Sequence, residues 1–327
     1  MIVRRRALVL AACAGILVAP LGASAQQAAS VPRVGVTVAG FPPNAYVESL
    51  RRGLADLGWI EGKNILIEYR YAEGRNDRWP QMMADLVGLK VDLIVAGGGE
   101  PAVSAAKQLT STIPIVMPAT YDPVAAGLVS SLARPGGNIT GHAQADAETT
   151  VKRMEFLKAL RPKAQRVAVL GQRGMYAPAH TDAIEAAARS LGLQLQRLTA
   201  SRVEALDGAF GAFKDAGAEG LIVLASGVFT AHRKRVVDLA AQHRLVAVYE
   251  HRDFVDAGGL MSYGPSFEEL WRGAARYVDN ILKGAAPADL PIEQPTKFEL
   301  AINLKTARSL QITVPQALFV RADRIVE

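Results

Sequence analysis

The feature that most constrains the fold is a regular alternation of short apolar strands with amphipathic helices. Residues 34–39 form an apolar strand, and the segment 91–96, which is apolar except for Asp92, is typical of a central parallel strand covered on both faces. The alternation restarts at Val167 and continues to Tyr249. Because strand–helix repeats build parallel sheets through right-handed crossovers, the sequence predicts an α/β protein with two Rossmann-like lobes.

Capping residues mark where several of the helices begin. Asn44 precedes a helix that runs to Leu57, with Gly58 as its terminator. Asp122 and Pro123 form a cap followed by a residue favoured at the first helical position, and they predict a further helix.

The segment after Tyr249 determines how the lobes are connected. It supplies a strand at 260–263, a helix at 267–282 and a final segment from 297, which is too little for a third domain. We therefore expect the chain to return to the first lobe and to cross once more to the second, so that three strands form a hinge. The expected divisions are residues 31–140 and 259–290 for lobe 1, and residues 141–258 and 291–327 for lobe 2.

The first 25 residues have the features of a secretory signal peptide. A basic start at Arg4–Arg6 precedes an apolar stretch at 7–19, and Ala23-Ser24-Ala25 is a small-residue cleavage site. A second interpretation is a lipoprotein box ending at Cys13, which would tether the chain through that residue. The apolar segment before Cys13 is very short, so cleavage after residue 25 is favoured. Both interpretations predict export, and we expect a periplasmic protein.

Charge and cysteine content exclude several functions for the exported chain. Removing Arg4–Arg6 lowers the formal net charge from +6 to +3, so the basicity does not indicate a nucleic-acid partner. Cys13 is the only cysteine. Thiol catalysis and cysteine metal sites are therefore excluded once the signal is removed.

A glycine turn follows the apolar strand in the segment VDLIVAGGGEPAVSAAK, residues 91–107. Gly97, Gly98 and Gly99 lie where ligands bind in open parallel sheets. A phosphate-binding loop is excluded because Gly62-Lys63 lacks the first glycine and the hydroxyl residue of that motif. A loose dinucleotide fingerprint fits, but Glu100 would repel a pyrophosphate. A tight corner without a ligand remains an alternative, and a small-ligand site is favoured.

The other turns on this edge share glycines, hydroxyls, acids and aromatic rings. Aromatic faces with a few polar anchors are what a small-molecule site requires. The candidate ligand-binding residues are Phe41, Gly98, Gly99, Glu100, Tyr121, Asp122, Tyr176, Ser226, Phe229, Glu250, Ser262 and Tyr263.

Catalytic and metal-binding patterns are missing from the sequence. It contains no G-x-S-x-G elbow, and its five histidines lack metal-ligand spacing. The basic run at 232–235 is interpreted as a solvated helix surface. We therefore expect a binding protein without enzymatic activity, cofactor or metal.

Several longer motifs resemble a known family. They are GLADLGW at 53–59, ARPGGNITG at 133–141, GGLMSYG at 258–264 and QPTKFEL at 294–300. Over nearly all of the chain after the signal, the sequence resembles the substrate-binding proteins of ABC importers, in the branch that includes tryptophan- and tyrosine-binding members. The resemblance implies a type I periplasmic-binding fold, a ligand in the cleft between the lobes, and delivery to a membrane permease driven by a cytoplasmic ATPase. It also implies that Asp122 and Ser262 match common family positions, whereas Glu100 replaces a frequent threonine.

These observations predict an exported, monomeric solute-binding protein that closes on a small ligand by hinge motion. An amino acid or an aromatic, amine-bearing metabolite is the expected ligand, because a carboxylate at position 100 favours an ammonium. The alternatives are an extracytoplasmic dinucleotide-dependent oxidoreductase or sugar-processing hydrolase, the ligand-sensing half of a transcriptional regulator, and a sensor without transport.

Overall fold

The computed structural model describes residues 31–144, 146–172 and 178–327. The predicted signal peptide, Cys13 and Tyr176 lie outside the described residues. The strands are β1 (Arg33–Val38), β2 (Leu66–Tyr71), β3 (Leu93–Ala96), β4 (Ile115–Thr120), β5 (Ile139–Ala143), β6 (Arg166–Gly171), β7 (Gln194–Thr199), β8 (Gly220–Val223), β9 (Val246–Tyr249), β10 (Met261–Pro265), β11 (Phe298–Asn303) and β12 (Arg324–Val326). The helices are α1 (Ala45–Asp56), α2 (Trp79–Gly88), α3 (Glu100–Leu109), α4 (Asp146–Leu160), α5 (Pro178–Ser190), α6 (Leu206–Asp215), α7 (Gly227–Ala231), α8 (Arg233–Gln242), α9 (Asp253–Asp256), α10 (Phe267–Leu282), α11 (Leu304–Ser309) and α12 (Gln316–Arg321).

The strands form two sheets, as the alternation of strands and helices predicts. The first sheet has the order β2-β1-β3-β4-β5, and all of its strand pairs are parallel. The second has the order β12-β11-β10-β9-β8-β6-β7, and only its β10–β11 pair is antiparallel. Helices cover both sheets, so the protein consists of two α/β lobes.

Buried strands place apolar side chains on both faces of each sheet. In β3, Leu93 and Val95 pack with α1 and α10 on one face, while Ile94 and Ala96 pack with α2 and α3 on the other. All four residues of β3 are fully buried. This two-sided burial explains why every residue of β3 is apolar, rather than every second one. The packing on both faces also holds in place the end of the strand that faces the second lobe.

The connections between the lobes differ in one respect from the expectation. Strand β10 pairs with β9 and β11, so it belongs to the second sheet and not to lobe 1. The chain crosses to the first lobe only after β10, and α10 then packs against α1. The short helix α9 explains this, because it returns the chain from β9 to the adjacent position in the same sheet. The other crossings follow β5 and Glu293, where His142 and Glu293 form an isolated parallel bridge.

Local capping was predicted correctly at one helix and not at another. The Asn44 side chain accepts from the backbone N–H of Tyr46 at 3.0 Å and caps α1 as expected. Asp122-Pro123 begins a turn and no helix. The chain folds back there because Gly127 has a φ of +66°, which ends the turn after a few residues. Within the described part of the chain, no helix is both long and apolar enough to cross a membrane.

Candidate functional site

A cleft lies between the two lobes, at the edge where their parallel strands end. Its volume is about 860 Å³, which is in the range of small-molecule sites. The first lobe contributes the turns that follow β1, β3 and β4, and the second contributes the turns that follow β8 and β9. Helix α10 adds the side chains of Phe267 and Trp271. The topology therefore places several loops from both lobes around one cavity.

The two lobes are in contact around this cleft. Tyr46 in the first lobe donates its hydroxyl hydrogen to Oδ2 of Asp253 in the second, over 2.7 Å. Gly227 lies so near Ala39 that an added Cβ would come within 2.6 Å of the Ala39 Cβ. Burial and the adjacent Asp253 carboxylate raise the pKa of Tyr46 well above its usual value, so its phenol remains a donor. The structure is therefore that of a closed arrangement.

The glycine turn after β3 allows close packing as well as access to the cleft. A Cβ on Gly97 would lie 2.2 Å from the ring of Trp271, and one on Gly98 would lie 2.5 Å from the ring of Trp79. Gly99 has a φ of +69° at the position before α3. All three glycines line the cleft. Contact with a tryptophan ring at Gly97 and at Gly98, and the positive φ of Gly99, therefore explain why all three positions are glycine.

Glu100 fixes the geometry of the neighbouring turn. Its Oε1 accepts from the backbone N–H of Tyr121 at 2.5 Å and from that of Asp122 at 3.1 Å. The residue lines the cleft and is buried. Its position at the start of α3 also suits the helix dipole. The carboxylate therefore connects α3 to the end of β4, and this role was not predicted from the sequence.

Aromatic rings form the wall of the cleft near α10. Tyr46 stacks on Trp271 with ring centroids 6.0 Å apart, and Phe267 lies 4.7 Å from the ring of His251. All four side chains line the cleft. Burial lowers the pKa of His251 to about 4, so its imidazole is neutral near pH 7. This wall offers flat apolar faces and one neutral polar ring.

Ser226 organises the turn after β8. Its hydroxyl donates to Oε1 of Gln172 at 2.6 Å and accepts from the backbone N–H of Val228 at 3.2 Å. The second contact caps α7. Ser226 lines the cleft, and its hydrogen is committed to Gln172.

Residues 34–326 match the family model described as ABC transporter substrate binding protein. The chain belongs to this family.

Individual relatives show the same architecture. The chain is 27% identical over 266 residues to a protein of Clostridioides difficile (strain R20291) named tyrosine-binding protein, and the match covers 80% of this chain and 75% of the relative. A conserved domain protein from Vibrio cholerae is similar in structure, with a TM-score of 0.83, 27% identity and coverage of 90% of this chain and 99% of the other. An ABC domain in complex with L-Trp from Streptococcus pneumonia has a TM-score of 0.83, 24% identity and coverage of 91% and 100%.

Several sequence-predicted residues meet at the cleft of this substrate-binding protein. They are Phe41, Gly98, Gly99, Glu100, Tyr121 and Ser226. Phe41 is 44% exposed and meets the edge of His232 from the other lobe, with centroids 5.8 Å apart. Tyr121 meets His180 of the second lobe at 5.7 Å in the same way. Their roles in ligand binding remain predictions, and their positions are consistent with them.

Two predicted aromatic residues instead pack within the second lobe, away from the cleft lining. Phe229 is fully buried in the core on one face of the second sheet. Tyr263 packs against Phe156 and Phe298, with ring centroids 5.1 and 5.9 Å away. Because neighbouring residues of a strand point to opposite faces, Tyr263 and Ser262 are directed to opposite sides of the sheet.

Three polar candidates also lie outside the cleft lining. Asp122 is exposed and its Oδ1 accepts from the backbone N–H of Ala125 at 2.9 Å, which stabilises its own turn. Glu250 directly follows β9, Ser262 lies within β10, and each is 1% exposed.

Among the residues that line the cleft and that sequence reasoning missed are Tyr46, Gln144, His251 and Trp271. Tyr46 and Trp271 occupy helices and looked like core positions. His251 is the second residue after β9, and its place in the predicted strand-end turn was the signal that could have identified it. Gln144 follows β5, where the sequence predicted a crossing between the lobes and no strand-end turn of the site.

The basic run at 232–235 borders the mouth of the cleft. Lys234 pairs with Asp238, and Arg235 pairs with Asp207. Arg233, Lys234 and Arg235 are exposed, which agrees with the predicted solvated surface. Among the described residues, no group of three or more His, Cys, Asp or Glu could hold a metal ion.

Proposed function

We propose that this substrate-binding protein captures a small solute in its cleft and delivers it to an ABC permease. The solute is an amino acid or an aromatic, amine-bearing metabolite. The protein acts after export through its N-terminal signal, in the periplasm, as a monomer, and it releases its ligand chemically unchanged.

The contact of the two lobes around an aromatic cleft carries this proposal. Rings of Tyr46, Phe267 and Trp271 border a space of about 860 Å³, which is large enough for an aromatic amino acid. Buried aromatic surface provides affinity, and the surrounding polar groups select among solutes of similar size. Glu100 adds a negative charge that suits a ligand ammonium.

The names of two relatives support the choice of ligand. One is a tyrosine-binding protein, and another was solved in complex with L-Trp. Both ligands are aromatic amino acids, which matches the mixture of rings and a carboxylate in this cleft.

Closure of the two lobes on the ligand links binding to transport. A ligand shifts the population toward the closed form only if it binds that form more tightly. Contacts such as Tyr46–Asp253 exist only when the lobes are together. A permease that distinguishes the two arrangements would then receive loaded protein in preference to empty protein.

A thermal-unfolding screen of the full chain with amino acids and aromatic amines tests the proposal, followed by calorimetric titration. A ligand at 100 times its Kd should raise the unfolding temperature by roughly 4 °C for a chain of this size. Sugars and nicotinamide nucleotides serve as matched negative ligands. A response to these compounds alone, or turnover of one of them, would support the enzyme alternatives and contradict the proposal.

A further inference from the structure

Arg233 differs from the other arginine and lysine residues that line the cleft. The others each pair with a carboxylate: Lys234 with Asp238, Arg235 with Asp207 and Arg252 with Glu268. Within the described part of the chain, Arg233 has no such partner, and its Nη1 donates to the backbone carbonyl of Thr230 over 3.1 Å. A guanidinium carries five N–H donors, so most of those of Arg233 remain available to a ligand.

The position of Arg233 makes its charge accessible from the cleft. The residue begins α8 in the second lobe, is exposed, and lines the cleft. Burial raises the pKa of Tyr46 in the first lobe, and the charge of Arg233 opposes that rise. Burial lowers the pKa of His251 in the second lobe to about 4, and Arg233 contributes to the fall. The positive charge therefore acts inside the cleft, on side chains of both lobes.

The aromatic wall of the cleft lies close to Arg233. Oγ1 of Thr230, the residue that accepts from the guanidinium, is 3.1 Å from Nε2 of His251. The ring of His251 in turn lies 4.7 Å from the ring of Phe267. Thr230, His251 and Phe267 all line the cleft. One small molecule can therefore place a ring on this wall and a negative group on Arg233.

We propose that the guanidinium of Arg233 binds the carboxylate of the ligand. The solute is then an amino acid, and not an amine that lacks an acid group. This inference rests on the proposed function, because it decides between the two ligand classes given there.

A carboxylate matches this site better than other negative groups do. The planar fork of a guanidinium forms two parallel hydrogen bonds with the two oxygens of a carboxylate. Glu100 and Glu268 also line the cleft, so a second negative charge on the ligand, as on a phosphate, would be repelled. Because Glu100 belongs to the first lobe and Arg233 to the second, the ammonium and the carboxylate of an amino acid have separate places.

Ligand analogues test the proposal on the unaltered full chain. L-Tryptophanamide and tryptamine keep the ring and the ammonium of L-tryptophan but lack its carboxylate, and L-tyrosinamide and tyramine do the same for L-tyrosine. For whichever amino acid binds, calorimetry should show at least about tenfold weaker binding of both analogues, because the charge-assisted pair with Arg233 is lost.

Variants of Arg233 connect this preference to the residue. Arg233→Gln removes the charge, so the preference for the acid over its amide should fall to less than about twofold, with little change in affinity for the amide. Arg233→Lys keeps the charge without the fork and should retain part of the preference. Arg235→Gln is the matched control, since it makes the same charge change two residues along α8 at an arginine that pairs with Asp207, and it should keep the wild-type preference.

The possible results separate this inference from the proposed function. Equal affinity of the wild type for an amino acid and its amide, or an unchanged preference in Arg233→Gln, would overturn the inference and leave the proposed function intact. An equal loss of preference in Arg235→Gln and Arg233→Gln would also overturn it, because the general charge of the rim would then be the cause. Failure of every aromatic amino acid and amine to bind would overturn both. Thermal unfolding of each variant at the wild-type temperature is expected, since these side chains are exposed, and the comparison of analogues on the wild type needs no variant.

Discussion

Replacing Gly227 should weaken ligand binding by holding the lobes apart. Gly227 begins α7 in the second lobe, and Ala39 follows β1 in the first. A Cβ at residue 227 would lie 2.6 Å from the Cβ of Ala39, whereas ordinary contacts begin at 3.4 Å. Gly227→Ala therefore requires the lobes to separate locally by about 1 Å, and Gly227→Val requires more because it adds two methyl groups.

The size of the effect follows from the energy of this overlap. Overpacking typically costs about 1–3 kcal/mol, and here it acts on the closed form alone. Apparent affinity falls with the population of the binding-competent form, so Kd should rise roughly 5- to 150-fold. We expect Gly227→Ala near the lower end and Gly227→Val near the upper end. The free energy of unfolding should not fall, because the open form relieves the contact.

Calorimetric titration and small-angle X-ray scattering measure the two consequences. The variants should show a larger Kd and a larger radius of gyration without ligand. Gly208→Ala and Gly208→Val are matched controls, since Gly208 lies in α6 and a Cβ there would have no neighbour within 4 Å. A Gly227→Val protein that bound ligand with the wild-type Kd would refute the reasoning that lobe contact is required.

Three further changes test other parts of the account. Tyr46→Phe removes the 2.7 Å hydrogen bond to Asp253 and should raise the Kd about tenfold, measured by calorimetry, with little change in unfolding temperature. Glu100→Ala should lower the free energy of unfolding by about 2–4 kcal/mol in a denaturant titration, because two backbone amides lose their acceptor, and Glu100→Gln should lose less. His142 and His251 each have a pKa lowered from 6.5 to about 4 by burial, so the unfolded chain binds more protons between these values. The free energy of unfolding should therefore fall as pH decreases from about 6.5 to 4, by up to about 3 kcal/mol for each histidine.

Each of these has a comparison that separates it from a general loss of stability. Tyr69→Phe removes a hydroxyl contact to Glu61 within the first lobe and should leave the Kd unchanged. If Glu100→Gln were as unstable as Glu100→Ala, the oxygen acceptor would not be what the turn requires. If replacing both buried histidines left the slope of stability against pH as it was, their neutral state in the fold would be excluded as its cause.

The fold was predictable from the sequence because its main signals are local. The Asn44 cap, the apolar run at 93–96 and the alternation of strands with helices each depend on residues within one element. The position of β10 was not predictable in this way. It depends on pairing with β11, which lies more than 30 residues along the chain, and strand pairing over that distance has no local pattern.

The site was predictable in outline and less so in its residues. Turns at strand ends could be found, but the direction of a side chain within a turn depends on tertiary packing. Phe229 enters the core, whereas His251, in an identified turn, faces the cleft. Trp271 was missed because a helical position that packs on a glycine turn resembles any core position until the turn is placed beside it.

A crystal structure of the full chain grown with its calorimetrically identified ligand tests the central claim most directly. The account predicts one ligand molecule enclosed between the lobes, with its ring beside Trp271. A ligand bound elsewhere on the surface, or lobes that remain apart around it, would contradict the account.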